Sequence, residues 1–372
     1  MKKLKVLQVS NHYYPCFGGI ERLLMDLNNI LQRNGVQSDV CCLDRDFQGK
    51  KLPEFETIGK TKVFRIPFAD LKYYKIATKV LDFTKEYDVI HVHGIGFFSD
   101  FLALTQAIHK KPLVLSTHGG IFHSSSLGLM KKAYFKTIAR HFAKSYFLIF
   151  ADSKSDFEIF SKITGNLELA LDGIDFKEFK KAKEKKVKNQ FIHAGRFASN
   201  KQLEKIPEAF AKVLEKREDF NVILVGSDSG DGSLEKVKEK IAEKKLWKKF
   251  RAITEATEEQ MRSLNSSSSF ALNSARHEGF GISVIESMAL KTIPIVNKLE
   301  VFGEFIEDNK SGFFVDFNNP AKASEKILKI MQKSESELSR HRALCQKAAE
   351  KFDFEKSVLK MIKAYKKAAK AG

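Results

Sequence analysis

Short apolar runs alternate along the chain with segments whose apolar residues recur at helical spacing. Residues 6–9 form the first run, and after it Ile20, Leu23, Leu24 and Leu27 fall on one face of a helix. The same order of run, polar loop and helical segment recurs in both halves of the chain, which predicts α/β structure with parallel sheets. Further runs predicted as strands span residues 38–43, 88–94, 112–118, 147–151, 190–194, 221–225, 250–253, 269–273 and 292–296.

A stretch rich in lysine and glutamate interrupts this repeat near the middle of the chain. Residues 177–188 contain few large apolar side chains, and strand-like runs resume at residue 190. We interpret the stretch as a linker between two doubly wound, Rossmann-like domains, which suits a length of 372 residues. Ligands of such sheets bind beyond the carboxyl ends of the strands.

The strongest chemical signal is the segment 277–286, which follows a predicted strand and opens a helix. Gly279 and Gly281 allow the backbone to approach a ligand, and the helix N-terminus offers free N–H groups suited to phosphate. Glu278 and Glu286 lie two turns apart and can border one cleft, where a carboxylate away from the phosphates suits sugar hydroxyls. The glycines and glutamates alone also fit an ordinary capped loop.

Two further strand-to-helix turns carry features suited to phosphate. Arg196 offers a planar fork and Lys201 a compact charge, so together they would neutralise a diphosphate leaving group. In the first turn of the chain, Gly18 and Gly19 would let a phosphate approach the backbone, although they do not form the GxGxxG pattern of dinucleotide sites. Each turn alone also fits a surface turn of a basic protein.

Histidines and an acidic pair are further candidates for catalytic or metal-binding groups. His118 ends a predicted strand beside two glycines, a position that favours function. His91 and His93 flank Val92, are assigned to opposite faces of their strand, and do not resemble metal ligands. The Asp-Arg-Asp sequence at residues 44–46 is interpreted as a polar loop, so no metal site is predicted.

The formal net charge is +18, and the basic excess is uneven. Residues 101–151 contain no Asp or Glu. This block fits either a nearby anionic surface or a solvated helix face of a basic protein. The pattern contains no helix-turn-helix or zinc module, so no nucleic-acid partner is predicted. The basic residues of the block are Lys110, Lys111, Lys131, Lys132, Lys136, Arg140 and Lys144.

The sequence predicts a cytoplasmic protein whose contact with a membrane would be peripheral. The longest apolar run, residues 146–151, is far shorter than the roughly 20 residues that span a bilayer. The apolar stretch within the first ten residues is too short and too interrupted for a signal peptide. The four cysteines lack CxxC spacing and are interpreted as reduced thiols.

Taken together and in this order, the motifs resemble those of the retaining glycosyltransferases of family 4, which have the GT-B fold. The resemblance covers nearly the whole chain. Its specific part is Gly195-Arg196 with Lys201, followed by the segment 278–286, and the early Gly18-Gly19 and the turn 172–175 also fit.

The resemblance implies two domains that face each other across a cleft. The N-terminal domain, residues 1–180 with a returning helix in 352–372, would bind the acceptor. The C-terminal domain, residues 181–351, would bind the nucleotide-sugar. The expected transfer needs no cofactor or metal, because cations and the helix dipole stabilise the departing diphosphate.

The resemblance also implies roles for single residues. Arg196 and Lys201 would bind the diphosphate, Glu286 the ribose, and Glu278 the donor sugar. Catalytic roles would fall to His118, Arg196, Lys201 and Glu278, with His118 beside the transferred sugar. The donor would be bound by Gly18, Gly19, Gly279, Phe280, Gly281 and Glu286.

Within the family, residues 116–123 and 195–201 are similar to the GDP-mannose-dependent α-mannosyltransferases of xanthan and acetan assembly. Residues 278–281 are similar to the phosphatidylinositol mannosyltransferases. The resemblance therefore implies GDP-mannose as donor, a lipid-linked acceptor and contact with an anionic membrane surface. A UDP-sugar donor, or a sugar-nucleotide epimerase of the same fold, remains an alternative. The chain departs from the family at Lys291, where a glycine is usual.

Overall fold

The computed structural model describes residues 3–16, 18–71, 74–119, 133–180 and 184–371. Its Cα positions divide into two compact units. Unit 1 comprises residues 1–175 and 354–372, and unit 2 comprises residues 176–353. The chain thus leaves unit 1 once and returns to it with its last helix.

Unit 1 is built on a sheet with the strand order β10-β9-β8-β7-β1-β2-β4-β3. Neighbouring strands are parallel except for the β3–β4 hairpin. Hydrophobic runs buried on both faces are typical of such parallel sheets. The strands are β1 (Lys5–Val9), β2 (Gln37–Leu43), β3 (Phe55–Ile58), β4 (Thr61–Ile66), β7 (Val89–His93), β8 (Leu113–Ser116), β9 (Tyr146–Ala151) and β10 (Leu167–Leu169), with a separate hairpin of β5 (Ala69–Asp70) and β6 (Lys75–Ile76).

Two long helices cover one face of this sheet. The helix Gly19–Arg33 buries its leucine-rich face, and the helix Phe354–Ala371 packs beside it with Val358, Met361 and Tyr365 in the same core. The backbone N–H of Phe354 donates to the carbonyl of Ile174 at 3.0 Å, so the two crossings of the chain lie side by side. The other helical segments of unit 1 are Thr78–Val80, Leu81–Thr84, Phe97–Leu104, Gln106–His109, the π-turn Phe135–Ala139, Arg140–Ala143 and Lys154–Phe160.

Unit 2 is a second parallel sheet, with the order β13-β12-β11-β14-β15-β16. Phe191 on β11 stacks on Phe270 of β14 with ring centroids 4.9 Å apart, at the centre of its core. The strands are β11 (Val187–Ala194), β12 (Asn221–Val225), β13 (Phe250–Ile253), β14 (Ser268–Asn273), β15 (Ile293–Val296) and β16 (Phe313–Phe314). The helical segments are Phe176–Lys180, Ser199–Lys201, Lys205–Leu214, Ser233–Glu243, Glu258–Ser267, Ile282–Ala289, Glu300–Gly303, Pro320–Met331, Glu335–Ala349 and Glu350–Phe352.

Part of the predicted linker is folded. The stretch 177–188 overlaps the helix Phe176–Lys180 and the first residues of β11. Phe176 and Phe179, three residues apart, are both buried and anchor this helix. Only Phe179 lies within the stretch, and its many lysines gave no apolar pattern that would predict a helix. In the described part of the chain, no helix is long and apolar enough to cross a membrane.

Lys291 adopts a left-handed backbone conformation, with φ of 59°. It follows the helix Ile282–Ala289, at the position where glycine commonly ends a helix. A glycine is usual here in the family that the chain resembles. The backbone conformation explains that preference, because a residue with a Cβ is strained at this φ. Lys291 keeps the glycine-type turn, with its N–H donating to the carbonyl of Met288 at 3.0 Å.

Replacing Lys291 by glycine is therefore expected to stabilise unit 2. Relief of the left-handed strain outweighs the extra entropy of glycine in the unfolded chain, for a net gain of about 0.5 to 1 kcal/mol. Urea unfolding measures the change. Lys291→Ala is the matched control, since it removes the same side-chain charge and keeps the Cβ. Equal stabilisation by both variants would contradict the backbone explanation.

Candidate active site

The turn after β11 is attached to the segment before the helix Ile282–Ala289. The backbone N–H of Arg276 donates to the carbonyl of Asn200 at 2.9 Å, and the Asn200 amide donates to the carbonyl of His277 at 3.2 Å. The hydroxyl of Ser274 donates to the carbonyl of Lys201 at 2.9 Å. Two segments that are distant in sequence are thereby held together at the carboxyl ends of β11 and β14.

This attachment brings Lys201 and Glu278 into contact. The Lys201 ammonium donates to a carboxylate oxygen of Glu278, and their side chains are only 11% and 15% exposed. Arg196, in the same turn as Lys201, is exposed. Two of the predicted catalytic residues, Lys201 and Glu278, therefore form an ion pair. A third, Arg196, belongs to the same turn as Lys201.

The helix Ile282–Ala289 begins beside this ion pair. Gly281 lies at its N-cap with φ of 86°, and a Cβ there would meet the Phe302 ring at 2.8 Å. Gly279 has open space around its Cα, and Phe280 packs edge-on against Phe352. The first turn of this helix contains no acidic residue, so its partial positive charge is not offset there. Glu286 lies half-buried in the second turn.

The glycine turn of unit 1 has a different electrostatic character. Gly18 is the N-cap of the helix Gly19–Arg33, and the carboxylate of Glu21 lies against it, 2.3 Å from where a Cβ would be. Gly19 has open space around its Cα. A carboxylate thus already occupies the positive end of this helix, so the unit 2 turn is the better anion site of the two. Phe17, in the predicted turn, lies outside the described residues.

His118 follows β8, in a left-handed conformation with φ of 45°. Its side chain is 3% exposed and its Nδ1 lies 3.0 Å from a carboxylate oxygen of Asp152. Its Nε2 lies 2.8 Å from Nδ1 of His93. Nε2 is thus hydrogen-bonded within unit 1, whereas Nδ1 lies at ion-pair distance from the carboxylate without hydrogen-bond geometry. Residues 120–123, the rest of the predicted motif, lie outside the described residues.

The turn that carries His118 is held by carboxylates. The backbone N–H of His118 donates to Asp152 at 2.6 Å, and that of Gly119 donates to Asp156 at 2.7 Å. The hydroxyl of Thr117 also donates to Asp156. These contacts fix a strained backbone at the carboxyl end of β8, which is where a doubly wound sheet presents its functional groups.

The charge of His118 follows from the same contacts. Burial lowers the pKa of His118, but the ion pair with Asp152 and hydrogen bonds to Asp152 and Asp172 outweigh burial and raise it to about 10. Burial and the neighbouring Asp152 raise the pKa of Asp172 to about 7. His118 is therefore an imidazolium at neutral pH, with donors on both nitrogens.

A buried chain of hydrogen bonds continues from His118 through unit 1. Burial holds the pKa of His93 well below its usual value, so His93 is neutral and accepts from His118 at Nδ1. Its Nε2 donates to Gln8 at 2.8 Å. The chain then runs from Gln8 to Ser38, from Ser38 to Asn28 and from Asn28 to Tyr13, over 3.0, 2.6 and 3.2 Å. It connects the His118 turn with the residues that precede the Gly18–Gly19 turn.

The assignment of His91 and His93 to opposite faces is wrong. Residues two apart in a strand lie on the same face, and the two rings are 4.2 Å apart. Burial lowers the pKa of His91 to about 3. The His91 ring lies 3.1 Å from the Ser116 hydroxyl and 2.7 Å from the Tyr365 hydroxyl on the returning helix.

Sequence reasoning missed Asp152 and Asp156, and it gave His93 no role at the site. Asp152 directly follows β9, and β9 pairs in parallel with β8, which ends just before His118. The available signal was therefore that both residues lie at the carboxyl ends of apolar runs. Ligand atoms of His118, Asp152 and Asp172 lie within 4.8 Å of one another, a spacing that a metal ion would fit. The same atoms also lie at ion-pair distance, with His118 Nδ1 3.0 Å from Asp152 and 3.9 Å from Asp172.

The chain matches two family models. The model described as Glycosyltransferase Family 4 matches residues 17–165, and the model described as Glycosyl transferases group 1 matches residues 175–352.

Curated relatives align along most of the chain. The GDP-mannose:cellobiosyl-diphosphopolyprenol alpha-mannosyltransferase of Komagataeibacter xylinus is 30% identical over 321 residues, which are 86% of this chain and 81% of the relative. The protein of the same description from Xanthomonas campestris is 28% identical over 369 residues, 97% of this chain and 96% of the relative.

Solved structures share the fold at low identity. Sucrose-phosphate synthase from Thermosynechococcus elongatus superposes with a TM-score of 0.73 at 16% identity, covering 99% of this chain and 100% of that one. Anabaena HepE in complex with UDP gives a TM-score of 0.73 at 17% identity, with 97% and 99% coverage. Together with the two parallel sheets, these similarities identify the fold as GT-B.

Proposed function

Because the chain belongs to glycosyltransferase family 4, we propose that it is a retaining, metal-independent enzyme that transfers mannose from GDP-mannose to a lipid-linked saccharide. The observation that carries the proposal is the contact of Lys201 with Glu278 beside a helix start without acidic residues. This arrangement suits a diphosphate joined to a sugar. The relatives whose descriptions name an alpha-mannosyltransferase support mannose as that sugar.

In the proposed reaction, Lys201 and Arg196 neutralise the departing diphosphate and the helix Ile282–Ala289 directs its N–H groups at it. Once Lys201 engages phosphate, the Glu278 carboxylate is released to accept hydrogen bonds from the donor sugar. Glu286, a turn deeper in the helix, binds the ribose hydroxyls. A phosphate oxygen accepts the proton of the acceptor hydroxyl, and the configuration at the sugar is retained.

Unit 1 binds the acceptor in this proposal. The buried pair of His118 with Asp152 would hold rigid the turn that lies beside the transferred sugar, since Nε2 of His118 contacts His93 and Nδ1 lies 3.0 Å from Asp152. The open backbone at Gly19 gives room for the donor. The enzyme works at the cytoplasmic face of a membrane, where a lipid-linked acceptor is presented.

Nucleotide binding provides a direct test of the donor. GDP in hundredfold excess over its Kd is expected to stabilise the protein by about 2.7 kcal/mol, and UDP by much less at the same concentration. Thermal unfolding measures both. A panel of sugar nucleotides with a lipid-linked acceptor, analysed by mass spectrometry, then identifies the product, with and without a metal chelator.

Each alternative has its own outcome in this test. Preference for UDP and consumption of a UDP-sugar would replace the proposed donor while keeping the family. An isomerised sugar nucleotide formed without acceptor would indicate an epimerase. Loss of transfer in the chelator, with recovery on adding a divalent metal, would contradict metal independence.

A further inference from the structure

The loop that follows β2 carries an exposed phenylalanine. The Phe47 ring is 58% exposed. It comes directly after the Asp-Arg-Asp sequence at residues 44–46, to which the proposed reaction gives no role. Single exposed apolar side chains are common on protein surfaces, so exposure alone assigns Phe47 no function. The neighbours of the ring decide whether it has one.

Asp46 holds this loop in one conformation. Its carboxylate accepts hydrogen bonds from the backbone N–H groups of Gln48 and Lys50, both at 2.9 Å. The backbone N–H of Asp46 donates in turn to the carbonyl of Lys50 at 3.0 Å. Phe47 lies between these bonded residues, so its ring is presented from a closed loop. Such preorganisation reduces the entropy that is lost when a ligand binds.

The same loop is attached to the segment between β1 and the Gly18–Gly19 turn. The backbone N–H of Leu43 donates to the carbonyl of Asn11 at 3.1 Å, and the Cys16 thiol is hydrogen-bonded to the backbone of Phe47. Because β1 and β2 pair in parallel, both segments leave the sheet at its carboxyl edge. Doubly wound sheets bind their ligands at this edge.

The Phe47 ring lies beside the Gly18–Gly19 turn. A Cβ at Gly18 would be 3.6 Å from Cζ of the ring, whereas a Cβ at Gly19 would meet open space. The ring of His12 packs against the same phenylalanine, with ring centroids 4.9 Å apart and planes inclined by 65°. An exposed aromatic ring and an imidazole thus adjoin a turn that leaves room for a ligand.

His12 adds a hydrogen-bond acceptor to this surface. Its Nδ1 lies 3.2 Å from the carbonyl of Arg45, a contact that places a proton on Nδ1. Burial lowers the pKa of His12, and the nearby charge of Lys75 acts in the same direction, so the ring is neutral at pH 7. Nε2 then carries a lone pair, and the described residues supply no partner for this nitrogen.

We propose that Phe47 and His12 form the subsite for a pyranose ring of the acceptor, an inference that rests on the proposed function because that acceptor is a saccharide. One face of a pyranose consists of C–H groups, which stack on the electron-rich face of an aromatic ring. A hydroxyl at the rim of the sugar donates to the free imidazole nitrogen. Phe47 supplies the first feature and His12 the second, at the edge of the sheet that also presents His118.

Saturation-transfer NMR without any nucleotide tests the stacking. The probes are the methyl glycosides of glucose, mannose, galactose and N-acetylglucosamine, each offered singly. The parent is expected to transfer magnetisation to ring C–H protons of at least one glycoside, and Phe47→Ala to weaken its binding about tenfold. No glycoside bound by the parent, or equal binding by Phe47→Ala, would overturn the subsite.

Phe55→Ala is the matched control for this experiment. Phe55 is 55% exposed in the same unit, but it lies on β3 against Phe64, with ring centroids 5.5 Å apart. Its removal takes away a similar exposed ring outside the proposed subsite, so glycoside binding should stay at the parent level. Urea midpoints of both variants establish that they are folded.

Two kinds of substitution separate the contributions of the subsite. Phe47→Tyr keeps an aromatic face and should retain most of the binding, whereas Phe47→Leu keeps apolar bulk without that face and should bind as weakly as Phe47→Ala. His12→Phe preserves a ring against Phe47 and removes the acceptor nitrogen, with an expected loss of about threefold to tenfold. Parent-like binding by Phe47→Leu would contradict stacking.

Transfer kinetics and calorimetry distinguish failure of this inference from failure of the proposed function. With a lipid-linked saccharide that the parent uses, Phe47→Ala should raise the acceptor KM about tenfold while GDP binding stays unchanged. Phe47-dependent glycoside binding in a chain that binds no GDP would overturn the donor assignment and leave the subsite standing. Transfer from GDP-mannose with an unchanged acceptor KM in Phe47→Ala would do the reverse.

Discussion

Replacing Lys201 by alanine is expected to reduce the proposed sugar transfer by about 10²- to 10³-fold, the usual effect of removing one preorganised group that stabilises developing charge. The substitution also leaves the carboxylate of Glu278, 15% exposed, without its ammonium partner. That carboxylate would then repel the diphosphate it faces. Steady-state kinetics should show the loss mainly in kcat, while circular dichroism and the urea midpoint show a folded protein.

Two further variants serve as controls for this experiment. Lys205→Ala removes the same charge from the next helix, where Lys205 pairs with Glu208 at 3.5 Å, and should leave transfer near the parent rate. Lys201→Ala/Glu278→Gln removes both charges of the pair. If that double variant regains full activity, Lys201 only neutralises Glu278, and its proposed role at the diphosphate fails.

Asp152→Asn is expected to weaken strongly the pH dependence of stability that His118 imposes. The folded pKa of His118 is raised to about 10, above the unfolded value of 6.5. The stabilisation is therefore fully present below pH 6.5 and is lost as pH rises through 10, with an upper bound of roughly 5 kcal/mol. Without this carboxylate, the pKa of His118 falls because the main contribution that opposes burial is lost, although Asp172 still raises it.

Urea unfolding at a series of pH values measures this slope. The window between about pH 8 and 10 is chosen because Asp172, whose pKa is raised to about 7, has finished titrating there. Asp156→Asn is the matched control: it loses the contacts of Asp156 with Thr117 and Gly119 but leaves the His118–Asp152 pair. Asp156→Asn should keep the slope. An equal slope in Asp152→Asn and the parent would contradict the assigned ion pair.

Most strands of the two sheets could be predicted from the sequence because buried parallel strands are nearly continuous apolar runs, but β3, β4, β10 and β16 were not predicted. The run 221–225 coincides with β12, and the run 250–253 with β13. The β3–β4 hairpin was not predicted, since it lies at the sheet edge, where Phe55 and Lys62 face solvent and the apolar run is broken. Short edge strands carry little of the hydrophobic signal that identifies buried ones.

The candidate site could be predicted in part. Lys201 and Glu278 were identified from glycine-bearing turns, but their mutual contact depends on Asn200 and Ser274, whose bonds to distant backbone have no sequence pattern. Asp152 was missed for a similar reason. It is adjacent to His118 only because β8 and β9 pair, and a single carboxylate after a strand is too common to be singled out.

The position of the helix Phe354–Ala371 affects how the protein is made. Synthesis proceeds from the N-terminus, so residues 176–353 leave the ribosome before this helix does. Unit 2 can therefore reach its native state on the nascent chain, while the face formed by the helix Gly19–Arg33 still lacks its neighbour. The hydroxyl of Tyr365, which bonds to His91, reaches the core of unit 1 only after unit 2 has been translated. Completion of the half that holds His118 thus waits until the helix Phe354–Ala371 has been synthesised.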